Sequence, residues 1–290
     1  MLTHVHVTPT LPSRVVVMGA GGFVGGSIVR RCQAAGLDVL ALTRRDVDLL
    51  DDGAAERLAA LLRPQDAFVA VSAVAPVKTV AMLTQNMAMI GAMIAALVKA
   101  PVAHLLNIGS DAVFADSPLP LSETSPRAPE SLHGVMHLAR EIAFTTLPIP
   151  QATLRPTLIY GAGDPHNGYG PNRFLRQALG GETIPLFGEG EERRDHVSVQ
   201  DVAELAFRIL MHGSTGSLNA ATGEVHSFRA VAELAVGLVP RPVEIRGTPR
   251  QGPMPHGGYR PFDAAATRAA FPDFAYTRLD DGLAAAARTF

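Results

Sequence analysis

The stretch "RVVVMGAGGFVGG", Arg14 to Gly26, limits what this chain can fold into more than any other. A short unbroken apolar run reads as a strand buried on both faces, and here it stops at glycines. "FVGGSIVRRCQAAG" (Phe23–Gly36) then reads as a helix closed by Gly36. With Gly19, Gly22 and Gly25 the intervening turn lacks Cβ atoms, so backbone N–H groups can approach a pyrophosphate that rests on the helix N-terminus. A strand before and a helix after distinguish this motif from a plain glycine-rich turn.

The same alternation continues. "DVLALTRR" (Asp38–Arg45), "DAFVAVSAV" (Asp66–Val74), "AHLLNIGS" (Ala103–Ser110) and "QATLRPTLIYG" (Gln151–Gly161) read as strands. Helices are expected after Asp51, over Ala81–Lys99 and after Ser131. That pattern predicts an α/β chain, a Rossmann-type doubly wound parallel sheet covered on both faces. Residues 164–190 are rich in Gly, Pro and Asn with little strand–helix regularity, and residues 195–213 restore the pattern and are expected to rejoin the sheet. We therefore expect a dinucleotide-binding core from 1–162 plus about 195–222, and a smaller C-terminal substrate lobe from 163–194 and 223–290.

Composition narrows the function classes. The net charge of −2 and the lack of basic runs argue against a nucleic-acid partner. One cysteine cannot make an internal disulfide. The N-terminus has neither the basic nor the apolar region of a signal peptide, and Thr84, Gln85 and Asn86 interrupt the most membrane-like stretch, Val80 to Ala100. A cytoplasmic protein without a membrane partner is the expectation. No metal site is expected either.

The second strand ends "LTRRD", where an NAD-binding chain usually offers an acid to the adenosine ribose. Arg44 and Arg45 instead suit a 2′-phosphate, which favours NADP, with NAD as the alternative.

With these pieces in place, the chain resembles the extended short-chain dehydrogenase/reductases, the NAD-dependent epimerase/dehydratase group. The resemblance rests on Gly19–Gly25, Asn86 to Gly91, "GSDAVFAD", "LRPTLIYGAGDP", "LFGEGEERRDHVSVQDVAE", "LNAATGE" and "YRPFD". "LTRRDVDLLDD" is most similar to the nucleotide-deoxysugar 4-keto reductases. The resemblance implies a nicotinamide-dependent oxidoreductase or epimerase acting on a small molecule, a nucleotide-diphosphate sugar. It implies that Ser110 bonds the reacting oxygen, that Asp48 and Leu49 lie by the adenine, and that Arg194 and Arg260 grip the diphosphate. It further assigns Phe23, Val24, Ser72, Ala73, Val74 and Pro156 to the cofactor, and Asp111 and Asn172 to the substrate.

One segment departs from the pattern. "SLHGVMHLARE" aligns with the family's Tyr-x-x-x-Lys and puts His133 at the tyrosine and His137 at the lysine. None of the four tyrosines, Tyr160, Tyr169, Tyr259 and Tyr276, lies on this helix. A tyrosine near pKa ~10 needs a cation beside it to work at neutral pH, whereas a histidine near ~6.5 does not, so the two changes are chemically consistent. Against this, an imidazole reaches roughly 2 Å less far than a phenol. Three readings stay open: His133 as acid/base with His137 on the ribose, a fold that binds nucleotide without turnover, and a two-histidine metal site. The Met82–Lys99 helix is apolar on more than one face, which predicts a second subunit over it, a homodimer.

Overall fold

Each strand expected in the first half forms, and each is shorter than its apolar run. In the computed structural model, which describes residues 1–289, the order is β1 (Leu2–Thr3), β2 (Arg14–Met18), α1 (Phe23–Ala34), β3 (Val39–Leu42), α2 (Ala54–Leu61), β4 (Asp66–Ala70), α3 (Val80–Lys99), β5 (His104–Ile108), α4 (Leu132–Phe144) and β6 (Gln151–Pro156). There follow β7 (Leu158–Tyr160), α5 (Pro171–Gly180), β8 (Ile184–Phe187), β9 (Arg193–Ser198), α6 (Val199–Met211), β10 (Thr215–Ala220), β11 (Val225–Ser227), α7 (Phe228–Gly237), β12 (Ile245–Thr248), β13 (Tyr259–Arg260), α8 (Ala265–Ala270) and α9 (Leu279–Ala287).

The main sheet has seven strands in the order β1-β10-β6-β5-β4-β2-β3. All neighbours run parallel except β1, which pairs antiparallel with β10. Alternation along β2 sends Val15 and Val17 to a core shared with α1 and α6, and Val16 and Met18 to a core shared with α2 and α3. Cys32 is buried in the first of these, and burial pushes its thiol up to about 11, so it is an inert apolar filler. From β2 the chain goes to β3 on one side and then to β4 on the other. The carboxyl ends of β2 and β4 therefore face a crevice at the switch point, the place where this topology binds ligands.

The second half differs from the sequence reading at three points. The run Gln151–Gly161 is two strands in two sheets. Pro156 has no N–H for the ladder, so β6 ends there, and Leu158–Tyr160 pairs instead with His196–Ser198. The expected return to the main sheet at residue 195 comes one element later: β9 pairs with β7, β11 and β13, and it is β10 that rejoins β6. Residues 164–190, read as irregular, contain α5 and β8, with Pro171 opening the helix and Gly181, in the left-handed region at φ 72°, closing it. α5, α7 and α9 share a separate apolar cluster that includes Phe174, Phe228 and Leu283. Asp195, buried, ties the two sheets together by accepting from Thr157 Oγ1 (2.9 Å), Thr222 Oγ1 (2.9 Å) and the backbone N–H groups of Thr222 and Gly223.

α3 passes the length and composition test for a membrane span, with a mean hydropathy of 1.6, but it packs on the sheet through Ile90, Met93 and Leu97. Its other face is open, with Val80 and Val98 exposed.

Candidate active site

A cleft of about 1320 Å³ opens at the switch point. Ordinary small-molecule pockets run to roughly 300–1,000 Å³, so this one has room for a dinucleotide and a second ligand. Nearly every residue assigned above to cofactor or substrate lines it, from Gly19 and Gly25 through Ser72, Ser110 and Pro156 to Arg194 and Arg260.

One does not. Asn172 is buried off the cleft, its Oδ1 accepting from Gly161 N–H (2.9 Å) and its Nδ2 donating to Asp164 (2.9 Å). Both ends of the amide are used to fold the 161–164 turn onto α5, so the substrate role expected for it is corrected to a structural one.

The glycine turn is a cradle that side chains would fill. Gly19 sits at φ 105°, and a Cβ there would lie 2.7 Å from Ser72 N. A Cβ on Gly25 would collide with the Gly19 carbonyl oxygen. α1 thus starts directly beneath the turn, with its first N–H groups toward the cleft. The residues present fit the phosphates of a dinucleotide. The opposite wall, Ser72 to Val74, is pinned from below by Asn86 on α3, whose amide bonds both the N–H and the carbonyl of Val74 at 3.0 Å.

Where β3 ends at the cleft, Arg44 is exposed and donates to Asp48 at 2.7 Å. Asp48 also accepts from Leu50 N–H (3.0 Å), while Leu49 is buried beneath it. An exposed pair of this kind is screened by solvent and weak, so Arg44 can be redirected to a ligand at little cost.

At the other end, α4 presents its histidines. Ser131 caps the helix by accepting from Gly134 N–H (3.1 Å). A Cβ on Gly134 would collide with the Ala112 carbonyl oxygen, so this glycine is what lets the helix lie against the turn that carries Ser110 and Asp111. Glu141 fixes the far end through a two-point bond to Arg155, at 2.8 and 2.9 Å, with both side chains buried.

His133 accepts at Nδ1 from Val77 N–H over a long 3.4 Å. In the neutral ring that bond puts the proton on Nε2. His137 is buried, its ring edge-on to His133 with centroids 4.6 Å apart, and its Nδ1 has no partner. Burial lowers the pKa of His133; Asp111 opposes the shift and Arg140 adds to it. Burial, Arg140 and His133 together hold His137 well below the usual range. Both rings are therefore neutral at pH 7. Among the described residues there is no group of three or more metal-ligating side chains, so the pair has no third ligand beside it. None of the four tyrosines lines the cleft among the described residues.

Arg194 and Arg260 line the same cleft. Arg260 is engaged with Asp111 (3.1 Å), Asp116 (2.5 Å) and the carbonyls of Asp111 and Phe114. Arg194 pairs with Glu192 and leaves a buried Nη1 without a partner. The groups in this cleft that the sequence did not assign to it include Asp116, His256 and Arg140. Of these only Arg140 was signalled, standing at i+7 from His133 on the same helical face.

Comparison with known proteins agrees with this geometry. The NAD dependent epimerase/dehydratase family matches residues 15–221. A dTDP-4-dehydro-6-deoxy-D-allose reductase of Streptomyces bikiniensis is 28% identical over 282 residues, covering 81% of this chain and 84% of that one. Among solved structures, the GDP-L-fucose synthetase of Naegleria fowleri bound to NADP superposes with a TM-score of 0.84 at 16% identity, over 99% of this chain and 96% of that one. The Thermus thermophilus UDP-glucose 4-epimerase in complex with NAD gives 0.81 at 24% identity, over 95% and 98%. Strand order, glycine cradle and sequence match converge on one conclusion: this chain belongs to the NAD-dependent epimerase/dehydratase family.

Proposed function

We propose that this protein is an NAD(P)-dependent oxidoreductase or epimerase of nucleotide-linked sugars in which His133 takes the proton-transfer role. The observation that carries the reading is the juxtaposition, in one cleft, of the glycine cradle, Ser110 and an imidazole whose Nε2 has no protein partner among the described residues. It is supported by the relatives, whose names describe reductases and epimerases of such sugars.

Bound along the cradle, the nicotinamide dinucleotide supplies the site that accepts or gives up hydride. The N-terminus of α1 and the backbone of residues 19–25 hold its pyrophosphate. Arg44 and Arg45 face the adenosine ribose, which favours NADP over NAD. Ser110 orients the substrate's reacting oxygen, and His133 holds or moves the proton on that oxygen. His137, neutral, is left to the ribose hydroxyls. Arg194 brings a guanidinium with an open donor to the diphosphate.

His133→Ala should lower turnover by about 10²–10⁴-fold while NADP(H) affinity stays within about twofold. Unchanged turnover in that variant overturns the reading. A second reading, binding without turnover, draws on the lack of any tyrosine or lysine lining the cleft among the described residues. It requires that no nucleotide-linked 4-keto sugar in a panel exchanges hydride, and one clear turnover removes it.

We also propose that a second copy of the chain covers α3 and α4, where Val80, Val98, Val135 and Ile142 are exposed. The expected mass at micromolar concentration is that of a dimer; a monomer by sedimentation rejects it. The division into a core and a substrate lobe, residues 163–194 with 223–290, is retained as a proposal on the separate apolar cluster of the second half.

A further inference from the structure

α4 carries a third residue on its cleft face. His133, His137 and Arg140 lie at i, i+4 and i+7, and all three line the cleft. Arg140 is one of the largest fully buried side chains in the protein. Its Nη1 donates to the Ser72 carbonyl at 3.1 Å and its Nη2 to the Ile108 carbonyl, at the carboxyl ends of β4 and β5. Its Nε has no partner.

No carboxylate pairs with it among the described residues. Glu141, next in sequence, turns to Arg155 and Arg127, and Asp111 is held by Arg260. A buried cation answered by two carbonyl dipoles and, without an ion pair, by the field of Glu141 is costly, and a lysine in its place would hold its proton only to a lower pH. Arginine starts so high that burial brings it only to about 10, so it stays charged at neutral pH.

We propose that Arg140 is the fixed cation of this site, a positioning residue that acts through His133 and His137 and forms one acid–base unit with them. The inference rests on the proposed role of His133 for its catalytic meaning, though not for its test.

The charged and titratable groups facing His133 are few. Its own helix supplies His137 and Arg140, and the turn after β5 supplies Asp111, which opposes Arg140. The loop after β4 supplies only the Val77 N–H. Arg140 also stands three residues on from His137 on the same helix, and its charge lowers that ring second only to burial. Removing the guanidinium leaves burial as the influence that lowers His133 and takes away the second, so His133 should take up a proton at higher pH. In the reading above, this moves the pH range over which His133 can give or accept a proton.

The alternative is a purely structural Arg140 that ties α4 to the sheet by hydrogen bonds. The two roles separate in Arg140→Gln, which keeps amide donors and loses the charge, and Arg140→Lys, which keeps charge on a different shape. The measurement is the NMR titration of the His133 ring in the substrate-free full-length protein. In Arg140→Gln its midpoint should rise by about one pH unit, the scale of a single nearby charge. In Arg140→Lys, read below the lysine's own titration, it should stay near the wild-type value. An unshifted midpoint in Arg140→Gln overturns the proposal, as does an equal shift in both variants. If Arg140→Gln does not fold, Arg140→Met and the wild type give the same comparison, with the same rise expected and no rise overturning it. Because no turnover is read, the outcome is independent of the His133→Ala test, and either can fail alone.

Discussion

Arg260 reaches from the two-residue strand β13 to Asp111, donating through Nε at 3.1 Å to the residue that follows Ser110. One guanidinium thereby ties the C-terminal part of the chain to the edge of the cleft, with further bonds to Asp116 and two backbone carbonyls. Arg260→Met leaves those acceptors unanswered in a site where the arginine is 3% exposed. The expected loss is about 3 kcal/mol in urea denaturation, together with a raised KM and an unchanged cofactor Kd. Unchanged stability would show that the clamp has no structural weight.

Gly25→Ala tests the cradle. Its Cβ meets the Gly19 carbonyl, a backbone atom that cannot swing aside. Forced displacement of packed backbone costs about 1–3 kcal/mol, so dinucleotide affinity should drop by about ten- to a hundredfold in a fluorescence titration.

In the proposed reading, cofactor choice depends on Arg44 and Arg45. Arg44→Ala with Arg45→Ala should weaken NADP(H) by about tenfold or more and leave NAD(H) nearly unchanged, because only the former carries the 2′-phosphate. Equal losses for both dinucleotides would remove the preference.

The direction of the reaction fixes the sign of its pH dependence. Burial holds His133 below its ordinary ~6.5, so with His133 in the proposed acid–base role kcat/KM in the oxidative direction should rise with pH through that lowered value and then level off. The reductive direction should fall through the same value. A limb centred near ~10 would point to a phenol or a lysine in its place.

Stability should fall in mild acid. Burial lowers the pKa of His104, His133 and His137, and pushes His196 down to about 3. Below the unfolded value near ~6.5 the unfolded chain binds protons that the folded chain does not, so stability declines as pH falls. Each group fully in that window adds about 1.4 kcal/mol per pH unit. Chemical denaturation between neutral pH and the acid range measures the slope, and a flat profile contradicts the buried neutral state of these rings.

The first half of the fold was legible because doubly buried strands and amphipathic helices leave periodic traces, and glycines mark where they turn. The second half was less so. Whether Leu158 continues β6 or opens a new sheet depends on what lies beside it, since the apolar run reads the same either way. Asn172 shows the same limit on the scale of one side chain: a polar residue in a substrate segment can face a ligand or its own turn, and here it bonds Gly161 and Asp164.

The sequence by itself determined the strand–turn–helix cradle and the two histidines one turn apart, because local periodicity and the absence of Cβ atoms need no distant partner. Only the tertiary structure decided what those histidines face. Asp111 comes from the turn after β5, the Val77 N–H from the loop after β4, and the carbonyls that hold Arg140 from beside two different strands. Those neighbours are remote in sequence, and a buried ring's protonation depends on the charges and dipoles packed against it.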